Sequence, residues 1–199
     1  MSALPPPTCE LDQWMLAEAA KRQRSGEAIT TLLVGTGAEE QAVRVAESGA
    51  RVLLLCDRDP GHVNIVQRPA ASFADTTGEF PLQPFDIILC QRMLSSLRYA
   101  DARTMVRSLL GRLRIGGKLF VSCYGIHSDL GDHYADSEKL VAERFATVAP
   151  ALAARYGIEG PLCLYSERNL FMLLMECGAA VLKTSSSALG HVRGIAARI

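Results

Sequence analysis

The 199-residue sequence has no excess of charge of either sign, because 21 lysines and arginines balance 21 aspartates and glutamates. A chain without net charge exerts no long-range attraction on nucleic acid or on an anionic membrane. We therefore expect neither nucleic acid nor a membrane as a partner, and a polyanionic substrate is disfavoured.

No C-x-x-C pair occurs among the six cysteines, and four of them lie inside apolar runs, as in residues 54–56 and 88–90. This distribution is typical of buried thiols in a reducing compartment. The sequence also lacks a basic segment followed by an apolar one at its start, and it lacks an apolar run long enough to span a bilayer. These absences predict a cytoplasmic protein.

The composition is globular, with 49% hydrophobic and 21% charged residues, and the length fits one domain over residues 1–199. Apolar runs predict strands at residues 30–34, 51–56, 70–74, 85–90, 118–123, 180–184 and 192–198. Helical patterns cover residues 11–24, 39–48, 60–67, 101–113 and 166–177. The N-terminal helix region occupies residues 1–28, and residues 126–164 form a polar and then helical insert.

Strands that alternate with helices predict a doubly wound, mostly parallel α/β sheet with helices on both faces. The last two of the seven strands follow each other without a helix between them, so they predict an antiparallel C-terminal hairpin. In such a sheet the ligand lies beyond the carboxyl ends of the strands.

Gly35 and Gly37 follow the first predicted strand and precede a helix, where glycine permits a tight turn and a close approach of a ligand. Asp57 ends the second strand about twenty residues later, the spacing at which a carboxylate accepts hydrogen bonds from ribose hydroxyls. The two features together predict a ligand site. The alternative is a glycine-rich turn that binds nothing, with Asp57 as a strand-end turn residue.

Polar residues also follow the later strands. Asp75 ends the third predicted strand, where its carboxylate could accept from an exocyclic amine or be simply solvated. Cys90 and Gln91 leave the fourth strand beside the cofactor space, and Arg92 is either a group that binds an anionic substrate or an ordinary exposed arginine.

The segment after the fifth strand contains Tyr124 and His127, both expected on the substrate side. His127 is the candidate for substrate contact or proton removal, and the alternative is a polar loop histidine. The spacing of His127, Asp129, Asp132 and His133 matches no closed motif, so no metal site is predicted.

Together these segments resemble the class I S-adenosylmethionine-dependent methyltransferases, from about residue 29 to residue 199. The resemblance lies in residues 31–37, 52–60, 85–97, 109–121 and 165–183. The helix, the Gly116-Gly117 turn and the fifth strand form its most specific part. The helix that leads into a terminal hairpin is a feature that dinucleotide dehydrogenases lack, so a nicotinamide dehydrogenase is disfavoured.

The resemblance implies S-adenosylmethionine as the cofactor and a small molecule as the methyl acceptor. It implies that Gly35, Thr36 and Gly37 pass the methionine portion, that Asp57 holds the ribose, and that Arg58 packs on the adenine. It also implies that Asp75 and Thr76 reach the adenine edge and that backbone groups of Cys90 and Gln91 complete the site.

Two positions depart from the family pattern. The family usually has an acidic residue where this chain has Leu33, and a glycine or small residue where it has Glu39. These positions motivate a second hypothesis, a noncatalytic protein of the same fold that binds the cofactor or a related nucleoside. Residues 135–164 are expected to form a lid over the pocket or the surface of a homodimer, or else to complete the core.

Overall fold

Helices precede the first, second and fifth strands of the described structure, as the helical patterns predict. The computed structural model of the protein describes residues 10–26, 28–35, 37–57, 60–69 and 83–199. The helices are α1 (Glu10–Arg24), α2 (Ala38–Glu47), α3 (Tyr99–Arg112), α4 (Pro150–Tyr156) and α5 (Glu167–Glu176). The strands are β1 (Thr30–Gly35), β2 (Arg51–Leu55), β3 (Ile65–Arg68), β4 (Phe85–Gln91), β5 (Leu113–Cys123), β6 (Ala180–Ser186) and β7 (Val192–Ala197).

The seven strands form one sheet in the order β3-β2-β1-β4-β5-β7-β6. Strands β1 to β5 pair in parallel, and β7 pairs antiparallel with both β5 and β6. The predicted mostly parallel sheet with an antiparallel C-terminal hairpin is confirmed. Because β1 and β4 are neighbours although two strands intervene in sequence, the strand order reverses between them, which is where ligands bind in such folds.

The core lies on both faces of the sheet, and β4 at its centre is buried along its whole length. Ile88 and Cys90 face a layer that contains the apolar stripes of α3 and α5. Ile87 and Leu89 face the opposite layer, which α1 and α2 cover. Alternate residues of a strand point to opposite faces, so a strand covered on both sides is apolar throughout.

Local signals explain where α5 and β5 begin. Ser166 caps α5, with its hydroxyl accepting from the Asn169 amide while the Asn169 side chain accepts from the Ser166 amide. This reciprocal pair satisfies two amides that a helix N-terminus otherwise leaves unpaired. Strand β5 starts at Leu113, before the predicted residue 118, because residues 113–117 continue the strand directly from α3.

The helix predicted at residues 60–67 is wrong, since β3 occupies Ile65–Arg68. Ile65 pairs with Val52 and Val66 with Leu53, so β-branched residues extend the sheet as its edge strand. The helix was predicted because Asp59 could cap it and Pro60 suits a first helical turn. Pairing with β2 overrides that local preference. The strand predicted at residues 70–74 lies outside the described residues.

The helical pattern predicted within the insert is correct only for α4. Residues 129–131 and 141–143 form short 3₁₀ turns, and Leu140 is 73% exposed. Extended backbone near Ala146 pairs with Leu162 instead of winding into a helix. The apolar spacing there serves a small core of its own. Across the described ranges, no helix is both long enough and apolar enough to cross a membrane.

Candidate functional site

The carboxyl ends of β1, β2, β4 and β5 share one edge of the sheet. This edge carries most of the predicted site residues: Gly35, Gly37, Asp57, Cys90, Gln91, Arg92 and Tyr124. The remaining predicted cofactor residues, Thr36, Arg58, Asp75 and Thr76, lie outside the described residues. The described residues contain no group of three or more histidines, cysteines, aspartates or glutamates arranged to hold a metal ion.

Gly35 ends β1 directly beside Gln91, the last residue of β4. Its φ of 111° favours glycine, and an added Cβ would stand 2.0 Å from the Gln91 carbonyl oxygen. The close approach of two strand ends therefore requires a glycine here, whether or not a ligand binds.

Gly37 precedes the first turn of α2 and has a left-handed φ of 78°. Within the described part of the chain, no side chain caps this helix, and apart from the adjoining residues of the chain no heavy atom lies within 4 Å of the position a Cβ would take. The first amides of a helix need acceptors, and they carry a partial positive charge. Gly37 thus leaves open space beside donors that suit an anionic group such as a carboxylate.

Gln91 is 7% exposed, and its Oε1 is buried with no hydrogen-bond partner among the described residues. An unsatisfied buried acceptor costs about 1–3 kcal/mol. Because Gln91 lies opposite Gly35, this acceptor marks a place for a hydrogen-bond donor at the reversal of strand order.

Asp57 and Cys90 occupy different environments at this edge. Asp57 follows β2 with an exposed side chain. Cys90 is fully buried in the layer beneath α3 and α5, and burial raises the pKa of its thiol to about 12. The thiol therefore stays protonated, and the side chain is part of the core.

The two positions that depart from the family pattern, Leu33 and Glu39, differ in their surroundings. Leu33 is fully buried, pairs with Leu54 and Leu89, and belongs to the apolar layer that α1 and α2 cover. A carboxylate in that layer would have to be desolvated, which is unfavourable without a partner. Glu39 is half-buried in the first turn of α2, where the helix dipole favours a negative charge.

A cavity of about 320 Å³ lies beyond the ends of β4 and β5. Its walls are Arg92, Ser96, Tyr124, Phe145 and residues 157–162, so both predicted substrate residues line it. Arg92 holds a positive φ of 60°, unusual for a residue with a side chain. Its guanidinium carbon lies 5.8 Å from the centre of the Tyr124 ring.

The rings of Tyr124, Tyr156 and His191 contact one another beside the cavity wall that Tyr124 forms. The His191 ring lies 5.6 Å from that of Tyr124 and 5.9 Å from that of Tyr156, and the two tyrosine rings are 6.2 Å apart. Sequence analysis missed His191. The signal was its position just before the last strand, since antiparallel pairing of β7 with β5 places Val192 opposite Cys123.

His191 is held in its neutral form by its surroundings. Burial lowers the pKa of the imidazole, the nearby Arg92 guanidinium lowers it further, and the Asp129 carboxylate acts in the opposite direction. The Nδ1 atom is buried without a hydrogen-bond partner in the described structure. A neutral imidazole can accept a proton.

His127, the histidine that the sequence suggested, lies in the loop after β5 with its side chain exposed. It is not among the residues that line the cavity. Its backbone carbonyl packs closely against Gly190, at the tip of the terminal hairpin. The two histidines therefore flank the same junction between the β5 loop and the hairpin.

No protein-family model and no curated protein matches the sequence. Solved structures do match. A 1,6-didemethyltoxoflavin-N1-methyltransferase of Burkholderia thailandensis, with bound 1,6-didemethyltoxoflavin and S-adenosylhomocysteine, is 16% identical with a TM-score of 0.61, over 92% of this chain and 77% of that one. A magnesium protoporphyrin IX methyltransferase of Synechocystis with bound S-adenosylhomocysteine is 15% identical with a TM-score of 0.60, over 94% and 83%.

A third similar structure is an S-adenosylmethionine-dependent methyltransferase of Methanosarcina mazei. It is 18% identical with a TM-score of 0.59, over 87% of this chain and 93% of that one. The sheet order, the terminal hairpin and these matches agree. This chain therefore has the Rossmann-like fold of the class I S-adenosylmethionine-dependent methyltransferases.

Proposed function

We propose that the protein transfers a methyl group from S-adenosylmethionine to a small-molecule acceptor. The observation that carries the proposal is the adjacency of two features at one sheet edge. An uncapped, glycine-led helix and the unpaired Gln91 acceptor lie on one side, and a cavity lined by Arg92 and Tyr124 lies on the other. The structural matches support methyl transfer in general.

The described residues fit the cofactor. The first-turn amides of α2, open beside Gly37, suit the methionine carboxylate, and Gln91 Oε1 suits its ammonium group. The exposed Asp57 carboxylate suits the ribose hydroxyls. Thr36, Arg58, Asp75 and Thr76 remain predicted cofactor residues on the strength of the sequence resemblance.

Gln91 could also replace the acidic residue that the family usually has at the position of Leu33. With Leu33 in the core, no carboxylate at that position can hold the ammonium group. The buried amide oxygen of Gln91, on the neighbouring strand, offers an acceptor at the same strand end. We infer that Gln91 takes over this contact.

When bound, the cofactor supplies a methyl group on a positively charged sulfur for in-line displacement. The protein's part is to align the acceptor and to exclude water. Arg92 and Tyr124 form the wall that orients the acceptor, and residues 157–162 also line the cavity. In this proposal the insert acts as a lid.

An acceptor that carries a proton also needs a base. His127 is the candidate from sequence, and His191 is the candidate from structure. We favour His191, because it contacts the cavity wall through Tyr124 and its surroundings keep it neutral. His127 remains the alternative base from the loop after β5.

The noncatalytic protein is the second candidate function, favoured by Glu39, whose charge lies in the first turn of α2 where the methionine carboxylate would bind. Incubation of the protein with radiolabelled S-adenosylmethionine and a metabolite extract distinguishes the two. Transfer of label to an extract component supports the enzyme. Binding of S-adenosylhomocysteine without any transfer supports the noncatalytic protein.

A further inference from the structure

The cavity beside the proposed cofactor site has two aromatic walls, each with an arginine against it. Arg92 lies 5.8 Å from the Tyr124 ring, and Arg98 lies 4.8 Å from the Phe145 ring. A guanidinium over an aromatic face is held by cation–π attraction and still has its N–H groups free to donate. Tyr124 and Phe145 both line the cavity.

The charges around the cavity favour an anion. Neither Arg92 nor Arg98 forms an ion pair with a carboxylate in the described residues, whereas other arginines of the chain do. Glu159 is the carboxylate that lines the cavity, and it is exposed. The lining of the cavity therefore contains one unpaired positive charge, Arg92, and one exposed negative charge, Glu159.

The volume limits the size of the ligand. At about 320 Å³ the cavity is near the lower end of ligand pockets, which run from about 300 to 1,000 Å³. Such a space suits one or two rings. A carboxylate, with a single charge and a planar shape, matches a guanidinium with less repulsion from Glu159 than a phosphate monoester, which carries nearly two charges.

We propose that the methyl acceptor is a small aromatic carboxylate, its carboxylate bound by Arg92 and its ring packed on Tyr124 and Phe145. That the bound carboxylate is the methyl acceptor rests on the proposed function. The binding of an aromatic carboxylate in this cavity is a separate property, which can be measured without the cofactor.

Titration of the full-length protein with three probes of similar size, followed by NMR chemical shifts, tests this binding. The probes are benzoate, its neutral analogue benzamide, and the nonaromatic cyclohexanecarboxylate. We expect benzoate to bind about fivefold more tightly than either of the others, because only benzoate has both the charge and the flat ring.

Substitutions identify the residue that binds the charge. Arg92→Gln should weaken benzoate binding about fivefold and leave benzamide unchanged. Arg51→Gln is the matched control, because Arg51 is an exposed arginine at the opposite end of the sheet, where β2 begins. Glu159→Gln should not weaken benzoate binding, because it removes a repelling charge.

His191 reports whether the probe lies at Arg92. The groups that face this imidazole are Arg92, Asp129, Tyr124 and Tyr156. A carboxylate on Arg92 offsets the positive charge there, so benzoate should raise the pKa of His191 and benzamide should not.

Equal affinity for benzoate and benzamide, an unchanged affinity in Arg92→Gln, or no saturable benzoate binding would overturn the proposal. Failure of the proposed function is visible separately, as absence of label transfer from S-adenosylmethionine to any component of a metabolite extract by the same wild-type sample.

Discussion

His191 lies against Tyr124, with ring centroids 5.6 Å apart. Val192 pairs with Cys123, so His191, which precedes Val192, comes next to Tyr124, which follows Cys123. The terminal hairpin thus places a side chain against Tyr124, a residue of the cavity wall, as well as completing the sheet. Tyr156 from α4 closes the cluster, so the insert and the hairpin meet at this point.

The pKa of His191 should depend on two neighbours of opposite charge. Arg92→Gln removes a positive charge that lowers it, so the pKa should rise toward the ordinary value of 6.5. Asp129→Asn removes a negative charge that raises it, so the pKa should fall further. NMR titration of the imidazole proton signals measures both, and shifts of the same sign in the two variants would contradict this electrostatic account.

The two histidines should differ in their effect on catalysis. We expect His191→Gln to reduce label transfer to the acceptor by about 10²-fold or more, the usual contribution of a general base. His127→Gln should stay within about twofold of wild type. Both variants should bind S-adenosylhomocysteine as wild type does. The reverse ranking would assign the base to His127.

Gln91 should contribute to cofactor affinity through its buried oxygen. Gln91→Leu removes the acceptor at nearly constant volume, and we expect it to weaken S-adenosylhomocysteine binding by about tenfold, the equivalent of about 1.4 kcal/mol. Gln91→Glu retains an acceptor and should bind S-adenosylhomocysteine at least as tightly as the wild-type protein. Isothermal calorimetry compares the three proteins. Equal affinities would mean that the ammonium group binds elsewhere.

The fold was largely predictable from the sequence because continuous apolar runs and helical periodicity specify a buried parallel sheet. Strand β4 and the helix that precedes β6 illustrate this. The wrong helix prediction at residues 60–67 has a physical cause. Strand β3 is a short edge strand with alternating exposure, and the proline and acidic residue that precede it are typical of a helix start. Pairing with β2, a tertiary effect, determined the outcome there.

The position of the candidate site was predictable where its residues follow strand ends, as for Gly37, Gln91 and Arg92. It was not predictable where distant segments converge. Tyr156 and His191 are far apart in sequence from Tyr124 and meet it through the antiparallel hairpin and the folded insert. The unpaired oxygen of Gln91 is likewise a property of packing that no spacing reveals.

Asp86 should stabilise the sheet at the edge opposite the site. Its fully buried carboxylate accepts from the Thr30 amide at 2.9 Å and forms ion pairs with Arg22 at 3.3 Å and Arg114 at 2.9 Å. Asp86→Ala should lower the free energy of unfolding by about 2–3 kcal/mol, since it leaves these donors unpaired. Urea denaturation measures the loss, and Glu47→Ala, at an exposed helix end, should change stability by less than about 0.5 kcal/mol.

Glu18 should make stability depend on acid. Burial alone raises the pKa of this carboxyl, but hydrogen bonds and charge from Lys118 and Arg22 outweigh burial and lower it below 4.5. Because the folded state holds the proton less tightly than the unfolded state, the stabilisation is complete above pH 4.5 and is lost as pH falls through the folded pKa. Urea melts of wild type and Glu18→Gln should therefore differ by about 1 kcal/mol at neutral pH and converge in acid. A difference that grows toward low pH would refute this.

We propose that the cofactor binds in the open space beside Gly37. Calorimetric titration with S-adenosylhomocysteine of Gly37→Ala and of Gly26→Ala tests it directly, because both glycines have a φ of 78° with nothing within 4 Å of an added Cβ. The two substitutions impose the same backbone strain, but only the one at Gly37 places a methyl group beside the amides of α2. We predict at least about tenfold weaker binding for Gly37→Ala and unchanged binding for Gly26→Ala. Equal affinities in the two variants, or no binding by the folded wild-type protein, would contradict the account.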